Sequence, residues 1–125
     1  MTHHPTDAWM RRLGTTDVVT SAVVAGGSPL GGGMEWAYGD GISHAEAVDL
    51  VTAIADSPIR GIDTSNMYGR GDSERRIGAA LTRIGGVPED FTVFTKTDAL
   101  DGDYSADRMR RSFEESAERL GIDRF

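Results

Sequence analysis

Three stretches of the chain repeat apolar residues at helical spacing. Ala47, Val48, Val51, Ile54 and Ala55 line one face of a segment that opens at Ser43 and closes before Pro58. Ser43 and Glu46 have the spacing of a capping box. Ile77, Ala80, Leu81 and Ile84 mark a second helix, with Asp72 or Ser73 as its cap and Gly85-Gly86 as its stop. In a third, beginning at Ser105 and ending at Gly121, Met109, Phe113, Ala117 and Leu120 are expected to face inward. Its outer face pairs Arg110 with Glu114, Arg111 with Glu115 and Glu115 with Arg119, each four residues apart.

Short apolar runs separate these helices. Ala22-Val23-Val24-Ala25, the segment around Ile59 and Ile62, and residues 91–95 read as brief buried strands. Residues 11–20 form two extended pieces around a Gly-containing turn, a small hairpin. Residues 1–10 are a lead-in, and Ile122-Asp123-Arg124-Phe125 reads as the opening of a fourth strand. The predicted order is a hairpin, three βα units and the start of another strand, an α/β domain over residues 11–125. An eight-unit (β/α)8 TIM barrel takes about 250 residues, so this pattern is the N-terminal part of one.

The strand ends carry the candidate chemistry. The run ending at Ile62 stops on Asp63, followed by Thr64-Ser65-Asn66-Met67-Tyr68-Gly69, and residues 91–95 stop on Lys96. A carboxylate, a phenol and an amine would then gather at the C-terminal mouth of a parallel sheet, where α/β folds place their sites. Taken singly, Tyr68 is an aromatic beside a turn glycine, Lys96 a charge that ends a strand, and Asp63 part of a polar turn. Their joint occurrence favours the functional reading.

Composition narrows the class. With 20 Asp and Glu against 13 Lys and Arg, the net charge of -7 argues against a phosphate-backbone binder, so no nucleic-acid partner is expected. No cysteine is present, which removes disulfides and thiolate metal sites, and no His, Asp and Glu spacing suggests a metal. The first residues lack a secretory pattern and no apolar run is long enough to span a bilayer, so a cytoplasmic protein without membrane contact is expected. Trp36 and Tyr38 are candidates either for lining a substrate pocket or for filling the core.

The phrase Gly61-Ile62-Asp63-Thr64-Ser65-Asn66-Met67-Tyr68-Gly69, continuing through Asp72-Ser73-Glu74 to Ile77-Gly78 and Ala80-Leu81, resembles the aldo-keto reductase signature. Arg12-Leu13-Gly14, Pro29-Leu30-Gly31-Gly32, Thr95-Lys96, residues 111–116 and Arg119-Leu120-Gly121 resemble further parts of that family in the right order. The resemblance implies an NAD(P)-dependent oxidoreductase, acting on a small carbonyl or its alcohol, with NADPH expected over NADH. It further implies that Tyr68 is the general acid, Lys96 its charged partner and Asp63 the carboxylate that holds the lysine. Gly26, Gly27 and Asp63 become candidate cofactor contacts, although relatives often carry a threonine where Gly27 stands. The chemistry agrees: hydride addition to a carbonyl leaves charge on oxygen, and a phenol of pKa about 10 needs a neighbouring cation to neutralise it efficiently.

The resemblance also implies a fourth catalytic group, a histidine after the fourth strand, to which neither His3, His4 nor His44 corresponds. The chain alone is therefore expected to be inactive and, with strand edges open, to associate. The alternative reading is a non-catalytic nicotinamide-binding or regulatory module on the same scaffold.

Overall fold

The computed structural model describes residues 8–32, 37 and 39–125; the lead-in residues 1–7 and the pocket candidates Trp36 and Tyr38 lie outside the described residues. Strands β1 (Met10–Arg12) and β2 (Val19–Ser21) pair antiparallel as the expected hairpin. Then follow β3 (Ala25–Gly26), helix α1 (His44–Asp56), β4 (Gly61–Asp63), α2 (Asp72–Arg83), β5 (Thr92–Phe94) and α3 (Ala106–Leu120). β3, β4 and β5 form one parallel sheet in that order.

The pleat divides this sheet into two faces. Ile62 and Val93 are partners in register and buried, and Ala25 packs on the same side. Val51, Ile77, Leu81 and Leu120 from the three helices complete that core. Gly61, Asp63, Thr92 and Phe94 lie on the other face by alternation. There a Cβ on Gly61 would meet Thr20 Oγ1 at 2.7 Å and Phe94 Cε2 at 3.3 Å, so only glycine lets the hairpin approach. Thr20 Oγ1 donates to the Arg60 carbonyl (2.9 Å), and the Arg60 N–H donates to Ser21 Oγ (2.7 Å), which seals the hairpin against the N-terminal end of β4.

Helix α1 forms as its spacing predicts. Ser43 Oγ accepts from the Glu46 N–H and Glu46 returns the bond to the Ser43 N–H, the full capping box. Those bonds lower the Glu46 pKa, backbone bonding to Ser43 being the larger cause. Arg60 closes the other end of α1, donating to the carbonyls of Ala55 and Ser57 while its guanidinium lies over the Phe91 ring.

Several sequence expectations are corrected. The first strand is Ala25–Gly26 rather than residues 22–25, and Val23 is 53% exposed. The chain is still leaving the hairpin there, with the Ala22 N–H bonded to the Trp9 carbonyl and Ser21 Oγ to that of Val23. Neither Asp72 nor Ser73 caps α2: the cap is Gly71, at φ 94°, and Asp72 is already the first helical residue. Phe113 does not face inward but is 46% exposed, its ring 4.7 Å from that of Phe125. The buried positions of α3 are Ser112, Ser116 and Leu120.

The reason for that last change is close helix packing. A Cβ on Gly78 of α2 would collide with the Arg119 carbonyl and sit 2.9 Å from the Leu120 carbonyl, so only small side chains fit between α2 and α3. The predicted Glu115–Arg119 pair is absent, because Arg119 turns to Glu74 of α2 (2.6 Å) instead. Arg110 pairs with Asp107, and Arg108 with Asp101 and Glu115, so the other two spaced pairs are not those formed either. Residues 122–125 make no strand; Ile122 and Phe125 pack against the core without a ladder.

The Gly78 contact gives a direct test. Gly78→Ala should lower the urea midpoint by an amount equivalent to about 1–3 kcal/mol, the cost of overfilling a close-packed contact. An unchanged midpoint would mean that the helices do not meet there.

Candidate functional site

Asp63 ends β4 and, by register, stands between Gly26 of β3 and Phe94 of β5. The β4–β5 alignment continues past both strands, since the Thr64 N–H donates to the Phe94 carbonyl (2.8 Å) and the Asn66 N–H to that of Lys96 (3.3 Å). Lys96 is thereby carried alongside Asp63. Its Nζ donates to Asp63 Oδ2 (2.7 Å) and to the Thr64 carbonyl (2.9 Å), and lies 5.2 Å from the centroid of the Tyr68 ring. The three groups read from the sequence therefore converge, as a chain from carboxylate to ammonium to phenol.

Partial burial works against the charge on Lys96, but the hydrogen bond and charge of Asp63, followed by Tyr68, outweigh it and raise its pKa above the ordinary 10.5. The lysine is thus held as an ammonium at neutral pH. Both partners are about half exposed, so the mouth is open to small molecules.

Tyr68 is placed by an unusual turn. Tyr68–Gly71 form a 3-10 turn in which Gly69 (φ 60°), Arg70 (φ 53°) and Gly71 (φ 94°) are successively left-handed. Arg70 is the one non-glycine with positive φ among the described residues, a local strain beside the phenol. The turn rests on the segment after β3: a Cβ on Gly31 would lie 2.6 Å from the Tyr68 carbonyl carbon, and one on Gly69 2.8 Å from Gly31 Cα. Two backbones touch there with no room for side chains.

The other two sequence candidates differ from each other. Gly26 is exposed beside Asp63, with open space where a side chain would point. Gly27 is buried beneath it, its N–H given to the Asp63 carbonyl (2.7 Å) and its carbonyl accepting from Ser73 Oγ (2.7 Å). Ser73 also bonds Thr64 Oγ1 (2.8 Å), so a buried polar knot joins β3, β4 and α2 directly under the site. His44 is the first residue of α1 and exposed.

The sequence pattern gives Glu74 a place in the family phrase but no task. Its carboxylate is fully buried and accepts from both Thr95 Oγ1 (2.6 Å) and Arg119 Nε (2.6 Å). A signal is nonetheless present, since residues 74, 77, 78 and 81 form one helical stripe and the only charge on it needs a partner. Lys96 is likewise the sole lysine beside 12 arginines, a rarity visible in composition alone. A cavity of about 1120 Å³, lined in part by Val18, Val19, Phe91, Phe113 and Phe125, includes none of Asp63, Tyr68 and Lys96. These three groups sit at the open mouth instead. Among the described residues no group of His, Asp and Glu could hold a metal ion, and no helix is long and apolar enough to cross a membrane.

Residues 23–125 match the model of the aldo/keto reductase family. The chain is 37% identical over 116 residues to the L-galactose dehydrogenase of Arabidopsis thaliana, covering 91% of this chain and 35% of that protein. To the pyridoxal 4-dehydrogenase of Microbacterium luteolum it is 32% identical, covering 90% of this chain and 40% of that one. A Pseudomonas aeruginosa structure assigned to the aldo-keto reductases superposes with a TM-score of 0.75 at 32% identity, over 100% of this chain and 47% of its own. The chain thus spans less than half the length of each of these relatives, and its fold matches the N-terminal part of solved aldo-keto reductase (β/α)8 barrels.

The raised Lys96 pKa fixes a sign for pH dependence. A group whose folded pKa exceeds its unfolded value stabilises the fold fully below the unfolded value and loses that contribution as pH rises through the folded one. The Asp63–Lys96 pair should therefore stabilise the fold from neutral pH up to about 10.5, by about 1 kcal/mol or less given its exposure, and lose that contribution as pH rises further. In denaturant titrations taken upward from neutral pH, the gap between wild type and Lys96→Met should persist to about 10.5 and close above it.

Proposed function

We propose that this chain, which belongs to the aldo/keto reductase family, carries the proton-transfer apparatus of a nicotinamide-dependent oxidoreductase acting on a small carbonyl or its alcohol. The observation that supports the reading best is the contact chain Asp63–Lys96–Tyr68. In reduction, Tyr68 gives its phenolic proton to the carbonyl oxygen as negative charge grows there. Lys96, kept cationic by Asp63, stabilises the phenolate left behind. In the reverse direction, which suits the dehydrogenase names of both relatives, the phenolate takes the alcohol proton while the same ammonium holds it ready.

The mouth fits a nicotinamide in one respect that the geometry supplies: exposed Gly26 is a bare backbone ledge in register with half-exposed Asp63. Gly26 and Asp63 are the residues that would hold the ring, with Gly27 as buried backing. When bound there, the cofactor supplies or accepts the hydride. NADPH is the form we propose, with NADH as its comparison, and the chain alone is proposed to lack turnover because none of His3, His4 and His44 matches the histidine that the family resemblance implies as a fourth catalytic group.

Titrating the chain with NADPH in the presence of a reactive aldehyde, while following nicotinamide absorbance, tests first whether the chain binds the cofactor and whether it turns over alone. Absence of binding would overturn the cofactor reading, and oxidation would overturn the proposed lack of turnover. Binding without oxidation fits the proposal and equally a regulatory module. In a complete barrel carrying this segment, Tyr68→Phe then decides between them: reduction should fall by about 10²-fold or more with NADPH binding unchanged. Full turnover in that variant would refute Tyr68 as the acid.

A further inference from the structure

The buried carboxylate of Glu74 is bound by two segments and touches a third through its ion-pair partner. One oxygen accepts from Thr95, the residue directly before Lys96, and the other from Arg119 of α3. The Arg119 side chain crosses over Gly71, at the end of the Tyr68 turn: a Cβ there would lie 2.6 Å from Arg119 Cδ and 2.8 Å from Nε. Arg119 is anchored in turn by Ser116 Oγ (3.2 Å). One ion pair therefore meets the Thr95 hydroxyl on one side of the site and the Gly71 backbone on the other, one residue from the lysine and three from the phenol.

Alternation along the strand gives this contact its consequence. Thr95 points to the helix layer, as Val93 does, so Lys96 must point to the opposite side, toward Asp63. A buried ion pair is a poor way to gain stability, because apolar residues of the same volume would serve as well, whereas its directional bonds fix geometry. We propose that Glu74 and Arg119 are positioning residues that fix the ammonium of Lys96 and the turn of Tyr68 against each other through Thr95 and Gly71. This rests on the proton-transfer reading of the site only for its purpose, since the positioning itself is measurable without activity.

The sole lysine makes the measurement direct. In the full chain labelled with 13Cε,15Nζ-lysine, every lysine signal belongs to Lys96, and the titratable groups facing it are Asp63 from β4 and Tyr68 from the turn. Wild type should titrate above the ordinary lysine value, with its ε-methylene shifted by the Tyr68 ring. Thr95→Val keeps the charge of Glu74 but removes the bond; the midpoint should fall toward the ordinary value and the ring shift should vanish. Thr95→Ser should retain both. Should Glu74→Gln fail to fold, the threonine pair still decides. A Thr95→Val protein that unfolds more easily yet titrates as wild type would overturn the proposal and reduce the pair to a structural role. A wild-type lysine with an ordinary midpoint and no ring shift would overturn it together with the site geometry. Normal positioning alongside full turnover of Tyr68→Phe would sink only the proton-transfer reading.

Discussion

The site depends on the register between β4 and β5. Ile62 faces Val93 and Asp63 faces Phe94, and two further backbone bonds carry that alignment beyond the strands to Lys96. A slip of one residue would send Lys96 to the helix layer and Thr95 to the mouth, because side chains alternate faces. What fixes the register is the burial of Ile62 and Val93 on one face. The hydrophobic core and the Asp63–Lys96 pair are thus two readings of one alternation.

Glycine does the complementary task of bringing backbones together. Gly61 admits the hairpin, Gly31 and Gly69 let the segment after β3 touch the Tyr68 turn, and Gly78 lets α2 and α3 meet. At Gly31, Gly69 and Gly78 backbone meets backbone, while Gly61 makes room for the side chains of Thr20 and Phe94. Polar bonds then join these layers, chiefly Ser73 to Thr64 and Gly27, and Glu74 to Thr95 and Arg119. The segment that carries the amine is thus bonded to the helix layer through Thr95, while Asp63 holds the ammonium at the mouth itself.

Much of this is legible in the sequence where the signal is local. Helix α1 follows from an apolar stripe and a capping box, and the ends of β4 and β5 follow from apolar runs that stop on charges. The convergence of Asp63, Tyr68 and Lys96 follows from a phrase resembling a known family, which spacing alone suggests less firmly. What fails is decided at long range. Phe113 sits at a helical spacing that suits burial, yet the close approach at Gly78 leaves space for Ser112 and Ser116 instead. Arg119 has an i,i+4 partner in Glu115, but the fully buried carboxylate of Glu74 has the stronger claim on it. Pairwise spacing along one helix cannot see a need that arises on another.

The solitary amine has a practical side. Apart from the chain terminus, any reagent that seeks primary amines, such as an activated-ester dye, an immobilisation resin or a reducing sugar, has one side chain to attack, and that side chain touches Asp63 and Tyr68. Conjugation that would decorate the outside of most proteins would here settle at the mouth of the sheet, beside Asp63 and Tyr68.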